Sequence, residues 1–343
     1  MKAVFVETAY QIQVKEVEQP PVQSNDVLIK VKAAGICGSD IHTYKGLHPF
    51  RKPPVVIGHE VVGEVVQVGE AVKNIKVGDR VTVEPQTGCG TCQYCLAGRI
   101  NYCENRGAPG VGDWYGTMAE YFVAPESCVL RLPDQMDFDQ GVLVEPLAVG
   151  VHAVRKAEIQ LSEKVAILGA GPIGLLTLAC VKAAGATTIL VTDVLDYCLQ
   201  SAQKLGATHT LNIKEKVNWV EEIKAQIGPF DKVLVTVGVP DIINQALGLL
   251  RKGGRVVTIA MFHGEQSIDI ANLQGTEKEI VGCMTYTRED TLAAIELLAN
   301  GYVDTDVIIT HKLPYEKAAE GFRMVDKKEN SSIKVLITFA DKR

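Results

Sequence analysis

The feature that most restricts the fold of this chain is a glycine-rich run placed between an apolar strand pattern and an apolar helix pattern. The strand pattern ends at Leu168, and the run that follows reads Gly169-Ala170-Gly171-Pro172-Ile173-Gly174. In such a turn, Gly169 permits the tight bend, Gly171 lets the backbone approach a pyrophosphate, and Gly174 allows close helix packing. The helix N-terminus adds amide donors and a favourable dipole. The run therefore predicts a dinucleotide-binding domain.

An acid at the end of the next strand indicates which dinucleotide is bound. Asp193 follows Gly174 by nineteen residues, where a carboxylate would accept both ribose hydroxyls and repel a 2′-phosphate. Residues 194–196 contain no Arg or Lys to hold that phosphate, so NAD is favoured over NADP. The alternative is that the glycines serve packing and Asp193 caps a helix. The predicted cofactor contacts are Gly169, Gly171, Pro172, Ile173, Gly174, Asp193, Val237 and Ala260.

Strand and helix patterns alternate through the middle of the chain. Strand patterns cover residues 165–168, 188–192, 232–237 and 255–259, with helix patterns between them that end near residues 184, 205 and 250. This alternation is typical of a doubly wound parallel sheet.

The two ends of the chain have a different pattern. Residues 1–148 contain short Val and Ile runs separated by Gly and Pro, which predict a small β barrel or sandwich. After a helix pattern at 290–300, the tail returns to short strand-like pieces such as 333–337. We therefore expect an α/β and β protein in which a nucleotide domain, 149–284, is inserted between residues 1–148 and 285–343 of the other domain.

Length and charge narrow the class of protein. A domain usually takes roughly 100 to 200 residues, so 343 residues suggest two domains. The net charge of −6 is scattered, which argues against nucleic acid as a partner and leaves small molecules. The longest uncharged run, 165–181, is too short and too broken by Gly and Pro to span a bilayer. An acid at Glu7 interrupts any signal-peptide core, so the cytoplasm is the expected location.

Four of the nine cysteines fall within fifteen residues, at Cys89, Cys92, Cys95 and Cys103. Tetrahedral zinc fits such a set best, and four thiolates leave no open position, so the predicted site is structural and closed. Iron–sulfur clusters also use four cysteines, but no proline follows the last one and there is no second cluster motif. Unliganded thiols would be an oxidation hazard. Cys128, Cys180, Cys198 and Cys283 are expected to be ordinary buried thiols.

A second metal site is indicated by residues that are weak signals one at a time. Cys37 lies between two glycine-containing turns, and His59 and Glu60 follow Gly58. Glu145 interrupts an apolar run from 141 to 151, and a buried carboxylate is costly unless it is paired or bound to a metal. Together with the dinucleotide loop, these residues predict a metal centre with an open position.

Taken in order, the motifs Gly-Ile-Cys-Gly-Ser-Asp, Gly-His-Glu, the four-cysteine loop, Glu-Pro-Leu and Gly-Ala-Gly-Pro-Ile-Gly make the chain resemble one family over essentially its whole length. It is similar to the zinc-dependent medium-chain dehydrogenases, in the branch with the sorbitol, threonine and butanediol enzymes. The resemblance implies a GroES-like catalytic domain, an inserted Rossmann domain, an active site in the cleft between them, and a homo-oligomer, a dimer or tetramer.

The resemblance also implies roles for individual residues. Cys37 and His59 match the ligands of a catalytic zinc, Glu60 matches a metal-proximal acid, and Glu145 matches the third ligand or its water-bridged equivalent. By the same comparison, Ser39 accepts the hydroxyl proton and His42 passes it to solvent, with an N-cap serine and a surface histidine as the plainer interpretations. Asp40 is expected to orient His59.

The substrate is only broadly indicated. A polyhydroxylated alcohol is expected, with Tyr44, Phe50, Glu145 and Tyr286 as candidate contacts and Trp114 and Tyr115 as further pocket candidates; each aromatic residue has packing as its alternative. Sorbitol enzymes carry Phe-Arg-Tyr where this chain has Met284-Thr285-Tyr286. A polyol, sugar acid, cyclitol, diol or amino alcohol therefore stays open, and a non-catalytic NAD(H) sensor is the alternative from another class.

Overall fold

The computed structural model describes residues 1–339. The strands, in chain order, are β1 (Lys2–Thr8), β2 (Gln11–Glu16), β3 (Asp26–Gly35), β4 (Val55–Val56), β5 (Glu60–Val68), β6 (Arg80–Val83), β7 (Tyr121–Pro125), β8 (Val129–Arg131), β9 (Lys164–Leu168), β10 (Thr188–Asp193), β11 (His209–Asn212), β12 (Phe230–Val235), β13 (Leu250–Thr258), β14 (Glu279–Gly282), β15 (Ile309–Pro314) and β16 (Lys334–Thr338).

The helices are α1 (Gly38–Tyr44), α2 (Gln93–Leu96), α3 (Phe138–Val142), α4 (Val144–Ala157), α5 (Pro172–Ala183), α6 (Asp196–Leu205), α7 (Trp219–Ile227), α8 (Ile242–Leu249), α9 (Ile270–Gly275), α10 (Arg288–Ala299), α11 (Thr305–Ile308) and α12 (Ala318–Lys327). Short 3₁₀ turns lie at Ile100–Tyr102, Glu126–Cys128, Tyr315–Lys317 and Glu329–Ser331. No helix within residues 1–339 combines the length and the apolar character that crossing a membrane requires.

The chain divides into two compact units. Unit 1 comprises residues 1–145, 287–301 and the chain from Ile309 onward, and unit 2 comprises residues 146–286 and 302–308. The sequence places these boundaries at 148/149 and 284/285, and it does not anticipate that residues 302–308 belong to unit 2. Which unit carries out which step of the chemistry stays a prediction.

Unit 2 is built on a six-stranded parallel sheet in the order β11-β10-β9-β12-β13-β14. Counted within the unit, that order is 3-2-1-4-5-6, the arrangement of doubly wound dinucleotide folds. The predicted parallel sheet is therefore confirmed. Ligands of such sheets bind outside the carboxyl ends of the strands, where the strand order reverses. In this unit that point lies between β9 and β12, directly beside the glycine run.

Unit 1 holds two sheets. One has the order β2-β1-β4, and the other has the order β15-β16-β3-β5-β6-β8, with β7 pairing along the first half of β3. The antiparallel contact between β16 and β3 joins the tail of the chain to its beginning, with Leu336 opposite Gly35. A core of Val, Ile and Phe side chains from both parts fills the space between these sheets and α12.

Candidate functional site

Strand pairing brings the first three candidate metal ligands together. β3 and β5 are antiparallel, with Gly35 opposite Glu60, so the turn that begins at Cys37 lies beside His59. The Cys37 thiol, a ring nitrogen of His59 and a carboxylate oxygen of Glu60 all lie within 4.8 Å of one another. A thiolate, an imidazole and a carboxylate are the donors that zinc accepts in open, catalytic sites. The residues present therefore fit a zinc ion.

One carboxylate orients two of these residues at once. Asp40 is fully buried in the first turn of α1, and its Oδ2 accepts a hydrogen bond from the backbone N–H of Cys37 at 3.0 Å. Its Oδ1 lies 3.2 Å from Nδ1 of His59. With Nδ1 held by Asp40, Nε2 is the His59 nitrogen left with a lone pair for a metal. The geometry is that expected of an orienting acid.

Asp40 and His59 each stabilise the charged form of the other. Burial raises the pKa of the Asp40 carboxyl, but the charges of His59 and Arg51 and the hydrogen bonds outweigh it, and the pKa lies below its ordinary value. Burial lowers the pKa of His59, but Asp40 and Cys37 outweigh burial and raise it well above its ordinary value.

Glu60 is held by a buried lysine that the sequence did not single out. Nζ of Lys334, in β16, lies 2.7 Å from each carboxylate oxygen of Glu60 and 3.2 Å from the carbonyl oxygen of Ile36. Lys334 is 1% exposed and Glu60 is fully buried. Burial lowers the pKa of Lys334, whereas Glu60, Cys37 and Glu145 raise it, and the net shift is upward. Glu60 is therefore paired with a cation next to the metal ligands.

Glu145 is buried, at 8% exposure, in the first turn of α4. Its charge acts on Lys334, which places it near the site. However, it does not belong to the mutually close set of Cys37, His59 and Glu60. The expected third ligand therefore lies outside the compact cluster in this conformation, and whether it binds zinc directly or through water stays a prediction.

The predicted proton carriers lie on α1. The helix begins after Cys37, so Ser39 lies in its first turn rather than at the N-cap, and His42 follows in the last turn. Both side chains are half-buried, so His42 is not a surface histidine. A spacing of three residues places them on the same side of a helix.

The four cysteines of residues 89–103 form a second cluster, with all four sulfur atoms within 4.8 Å of one another. Sγ of Cys89 and Sγ of Cys95 are 4.0 Å apart, close to the separation of about 3.8 Å that tetrahedral zinc–thiolate bonds of 2.3 Å require. Backbone N–H groups donate to Cys89, Cys92 and Cys103 at 3.4 Å. Hydrogen bonds from Thr91 and Cys92 lower the pKa of Cys89 to about 6. The backbone N–H of Gly90 lowers the pKa of Cys95, but burial and the neighbouring thiols outweigh it and raise that pKa to about 11. The loop thus favours a thiolate at Cys89, and its four sulfur atoms fit a closed zinc site.

We expect Gly88→Ala to weaken this cluster. A Cβ at this position would lie 2.4 Å from Sγ of Cys95, so the thiol would have to leave its place. Bound zinc should fall by about one ion per chain, measured by a chromophoric chelator after gel filtration. Gly275→Ala is the matched control, because its Cβ would meet nothing within 4 Å. Full zinc retention by Gly88→Ala would contradict the assignment.

The glycine run in unit 2 has the shape that a pyrophosphate site needs. Gly169 has φ +107°, a conformation that side chains disfavour. A Cβ at Gly174 would lie 2.0 Å from the carbonyl oxygen of Gly169, whereas one at Gly171 would meet nothing within 4 Å. Helix α5 begins at Pro172, with Ile173 in its first turn. The open side of this loop is therefore at the helix N-terminus.

Asp193 lies next to this loop because β9 and β10 are neighbours in the sheet. Its Oδ2 accepts a hydrogen bond from Ala170 at 2.7 Å, and its Oδ1 accepts from the backbone of residues 194 and 195 at 2.7 and 3.0 Å. Oδ2 accepts one hydrogen bond and keeps a lone pair for a ribose hydroxyl, whereas both lone pairs of Oδ1 are already used. Val237 borders the same turn, 3.3 Å from where a Gly169 Cβ would lie. Ala260 follows β13 and donates its N–H to Val235 at 3.1 Å.

The aromatic candidates for substrate contact are placed differently from one another. Tyr44 is 9% exposed and packs in the core of unit 1 against Phe322, with ring centroids 5.7 Å apart, which favours the packing alternative, and its contact with substrate stays a prediction. Tyr286 is 2% exposed in unit 2. Phe50 is 53% exposed and touches His48 edge to face, so it stays a candidate.

Trp114 and Tyr115 line a cavity of about 410 Å³. Its walls contain no candidate metal ligand and consist of Pro20, Pro21, Gln23, Asp26, Thr87, Asp113, Trp114, Tyr115, Tyr121, Phe122, Val123 and Pro125. The indole N–H of Trp114 donates to the carbonyl oxygen of Val123 at 2.9 Å, which fixes the ring. These two residues therefore do not join the metal ligands.

The structure differs from the sequence predictions at two basic residues and one cysteine. Lys334 and Arg51 were not anticipated, although a lysine within the apolar run 333–337 was a detectable signal of a buried charge. Arg51 is 7% exposed and lies beside Ser39, Asp40 and His59. Cys128, Cys180 and Cys198 are buried as expected, but Cys283 is half-buried, so the expectation was wrong there.

Comparison with known proteins gives a separate family match for each of two parts of the chain. Residues 23–134 match the family described as the alcohol dehydrogenase GroES-like domain, and residues 172–300 match the zinc-binding dehydrogenase family. The chain is 34% identical to a sorbitol dehydrogenase of Bacillus subtilis over 98% of this chain and 97% of that protein, and 35% identical to sorbitol dehydrogenase 1 of Saccharomyces cerevisiae over 93% of each. The solved structure of 2R,3R-butanediol dehydrogenase from Bacillus subtilis superimposes with a TM-score of 0.91 at 34% identity, covering 99% of both chains.

Proposed function

The chain belongs to the zinc-dependent medium-chain dehydrogenases, in the sorbitol and butanediol branch, and on that premise we propose that it oxidises a secondary hydroxyl of a polyol, sugar acid or cyclitol to a ketone with NAD. It combines a GroES-like domain with a Rossmann domain. The observation that carries the proposal is the cluster of half-buried Cys37 with buried His59 and Glu60, because Ser39 follows Cys37 by two residues and Arg51 contacts both Ser39 and His59. A zinc ion held by a thiolate, an imidazole and an acid, with the Ser39 hydroxyl nearby, can bind the oxygen of a substrate alcohol.

In the proposed reaction, zinc polarises the hydroxyl oxygen and the nicotinamide ring accepts the hydride when both groups are bound. The chain itself handles the proton. Ser39 takes the hydroxyl proton at Oγ while its own proton passes to His42, which releases it to solvent. Because a serine hydroxyl has one donor and two acceptor positions, it can receive and give a proton at once.

The remaining residues hold this arrangement. Asp40 fixes the tautomer of His59 through Oδ1 and the backbone of Cys37 through Oδ2. In the proposal, Cys37, His59 and Glu145 hold the metal, and Glu60 is the nearby acid that takes the metal when substrate or water leaves. The pairing of Glu60 with Lys334 supports this temporary role, because the ammonium of Lys334 already balances the carboxylate charge when Glu60 does not bind the metal.

For the cofactor, the family uses a nicotinamide dinucleotide, and we propose NAD in this chain. Support comes from Asp193, whose carboxylate lies 2.7 Å from the amide of Ala170 in the glycine run. A 2′-phosphate brought to the same place would meet a fixed negative charge. The residues proposed to contact NAD are those of 169–174 together with Asp193, Val237 and Ala260.

A second substrate class is favoured by one observation. The similarity to a solved butanediol dehydrogenase extends over 99% of the chain, so a vicinal diol is the alternative substrate; L-threonine follows from the family resemblance. Polyols have longer carbon chains than small diols. The half-exposed Phe50 is the proposed contact that distinguishes them by length. A non-catalytic NAD(H) sensor would not need the ligand set at Cys37.

The test is a substrate panel on the zinc-loaded protein. Polyols, aldonates, inositols, butanediol and L-threonine are each offered with NAD and with NADP, and reduced nicotinamide is followed by absorbance. We expect turnover of one polyhydroxylated class, a clear preference for NAD, and about two zinc ions per chain. One zinc ion and no turnover would instead support the sensor, and a preference for NADP would contradict the role of Asp193.

We also propose that the protein works in the cytoplasm as a homo-oligomer, either a dimer or a homotetramer. Four clustered thiols suit a reducing compartment, where they bind metal rather than form disulfides. Within residues 1–339, β14 pairs only with β13, which leaves a sheet edge for a second copy. Light scattering coupled to gel filtration measures the number of copies.

A further inference from the structure

Arg51 is a buried cation that the proposed reaction has not used. It lies between α1 and β4 and is 7% exposed. Its side chain is anchored away from the metal ligands, because Nε donates to the carbonyl oxygen of Pro109 at 3.0 Å. Its backbone N–H donates to Nδ1 of His48 at 3.1 Å. Burial and the charge of Arg51 lower the pKa of His48 to about 4, so this histidine is a neutral acceptor.

The free end of the guanidinium reaches three residues of the site at similar distances. Nη1 lies 3.4 Å from Oγ of Ser39, 3.4 Å from Nδ1 of His59 and 3.7 Å from Oδ1 of Asp40. The distance to Asp40 is long for a charge-assisted hydrogen bond, which is usually about 2.7–2.9 Å. Asp40 is already bonded to His59 and to the backbone of Cys37. Neutralising Asp40 is therefore not the only role of this arginine.

The contact with Ser39 has a consequence for proton transfer. We propose that Arg51 is a positioning residue that gives the Ser39 relay its direction; this rests on the proposed function. Nη1 donates to one lone pair of Oγ, so the serine proton cannot point toward Arg51. The second lone pair is left for the substrate hydroxyl, and the serine O–H is left to donate to a further acceptor, which in the proposed function is His42.

The step balances in protons and charge. The O–H bond of the substrate breaks as a new O–H bond forms at Oγ of Ser39, and the original serine proton leaves to His42. Ser39 is neutral before and after the step. The guanidinium charge at 3.4 Å opposes a protonated serine, so the proton moves on rather than staying at Oγ. Catalytic hydrogen bonds are often long before substrate binds, and this contact shortens in the loaded site.

The test compares Arg51→Met and Arg51→Lys with the wild type. Methionine fills the space without a donor, and lysine keeps the charge without the guanidinium shape. For Arg51→Met we expect kcat to fall by about tenfold to a hundredfold, the lower range of acid–base effects. KM for NAD and the zinc content stay at their wild-type values. The ratio of kcat in H₂O to kcat in D₂O rises, because proton transfer becomes rate-limiting, and Arg51→Lys keeps part of the activity.

Two further measurements separate positioning from general stability. In Arg51→Ala, millimolar guanidinium chloride should restore part of the lost kcat and bring the solvent isotope ratio back toward wild type. Arg323→Met is the control, because that arginine is 54% exposed and pairs with Glu329. A fall in kcat with an unchanged isotope ratio, or a loss of zinc, would show that Arg51 only supports the fold or His59, and the inference would be overturned.

The inference can fail separately from the proposed function. If the wild-type chain oxidises no alcohol, the proposed function fails, and the crystal structure of Arg51→Met then decides the positioning claim. If the Ser39 side chain occupies several rotamers while Cys37 and His59 keep their positions, the positioning role of Arg51 is supported. A single, unchanged Ser39 rotamer overturns it.

Discussion

Replacing Cys37 with serine should abolish alcohol oxidation while leaving NAD binding intact. The thiol is one of three ligand atoms within 4.8 Å, and a serine hydroxyl is a much poorer ligand for zinc. We expect turnover to fall by about 10³-fold or more, the scale of losing a main electrostatic stabiliser. Zinc should fall from about two ions per chain to about one, because the four-cysteine cluster is a separate set.

The control for this change is Cys128→Ser. Cys128 is buried, and its thiol donates to the carbonyl oxygen of Gln86 at 3.4 Å, a bond that serine can keep. Burial raises the pKa of this thiol to about 11, so it is a neutral, unreactive group. Activity and zinc should persist in Cys128→Ser. Turnover retained by Cys37→Ser would remove the metal role from Cys37.

Lys334→Met should be the most destabilising single change in unit 1. It leaves the carboxylate of Glu60 fully buried without its cation, and breaking one side of a buried pair costs about 3–5 kcal/mol. The free energy of unfolding is measured by urea titration at equal zinc content. The double variant Lys334→Met/Glu60→Gln should recover most of the loss, because an amide carries no charge.

Lys216→Met provides the comparison at the surface. Its ammonium lies 3.3 Å from Glu222, but both side chains are about half exposed, at 42% and 52%. Exposed pairs contribute roughly 0–1 kcal/mol, so this change should have little effect on unfolding. A loss below about 1 kcal/mol for Lys334→Met would mean that Glu60 finds another partner, such as the metal itself.

The parts of the molecule that were predictable are those where a local pattern has one physical meaning. The glycine run between strand and helix led to a parallel sheet, and the spacing of four cysteines led to a compact thiol cluster. By contrast, β11 reads His-Thr-Leu-Asn and has no apolar run, so only its pairing with β10 makes it a strand. Strands defined by their neighbours leave little trace in their own sequence.

The residues of the candidate metal site were likewise predictable only where the sequence around them has one physical meaning. Cys37 and His59 are weak signals one at a time, and they could be named because they occur together with a buried acid and a dinucleotide loop, in the order of motifs on which the family resemblance rests. Tyr44 could not be assigned, since an aromatic side chain on a short helix serves a core as well as a pocket, and its packing on Phe322 favours the core. Lys334 pairs with Glu60, 274 positions away in the chain, and Arg51 contacts Ser39, 12 positions away on another element. Neither pair is encoded by a helix or strand period.

The separation between residues of each cluster has a consequence for the order of metal loading during synthesis. The first and last of the four cysteines, Cys89 and Cys103, are separated by only 14 positions, so a nascent chain can wrap all four around an ion early. The pair of Glu60 and Lys334 is separated by 274 positions. The cluster of Cys37, His59 and Glu60 therefore reaches its final charge balance only after the ribosome has made the last of the three segments of unit 1. A chain stalled before β16 would carry its structural zinc and leave Glu60 without its cation.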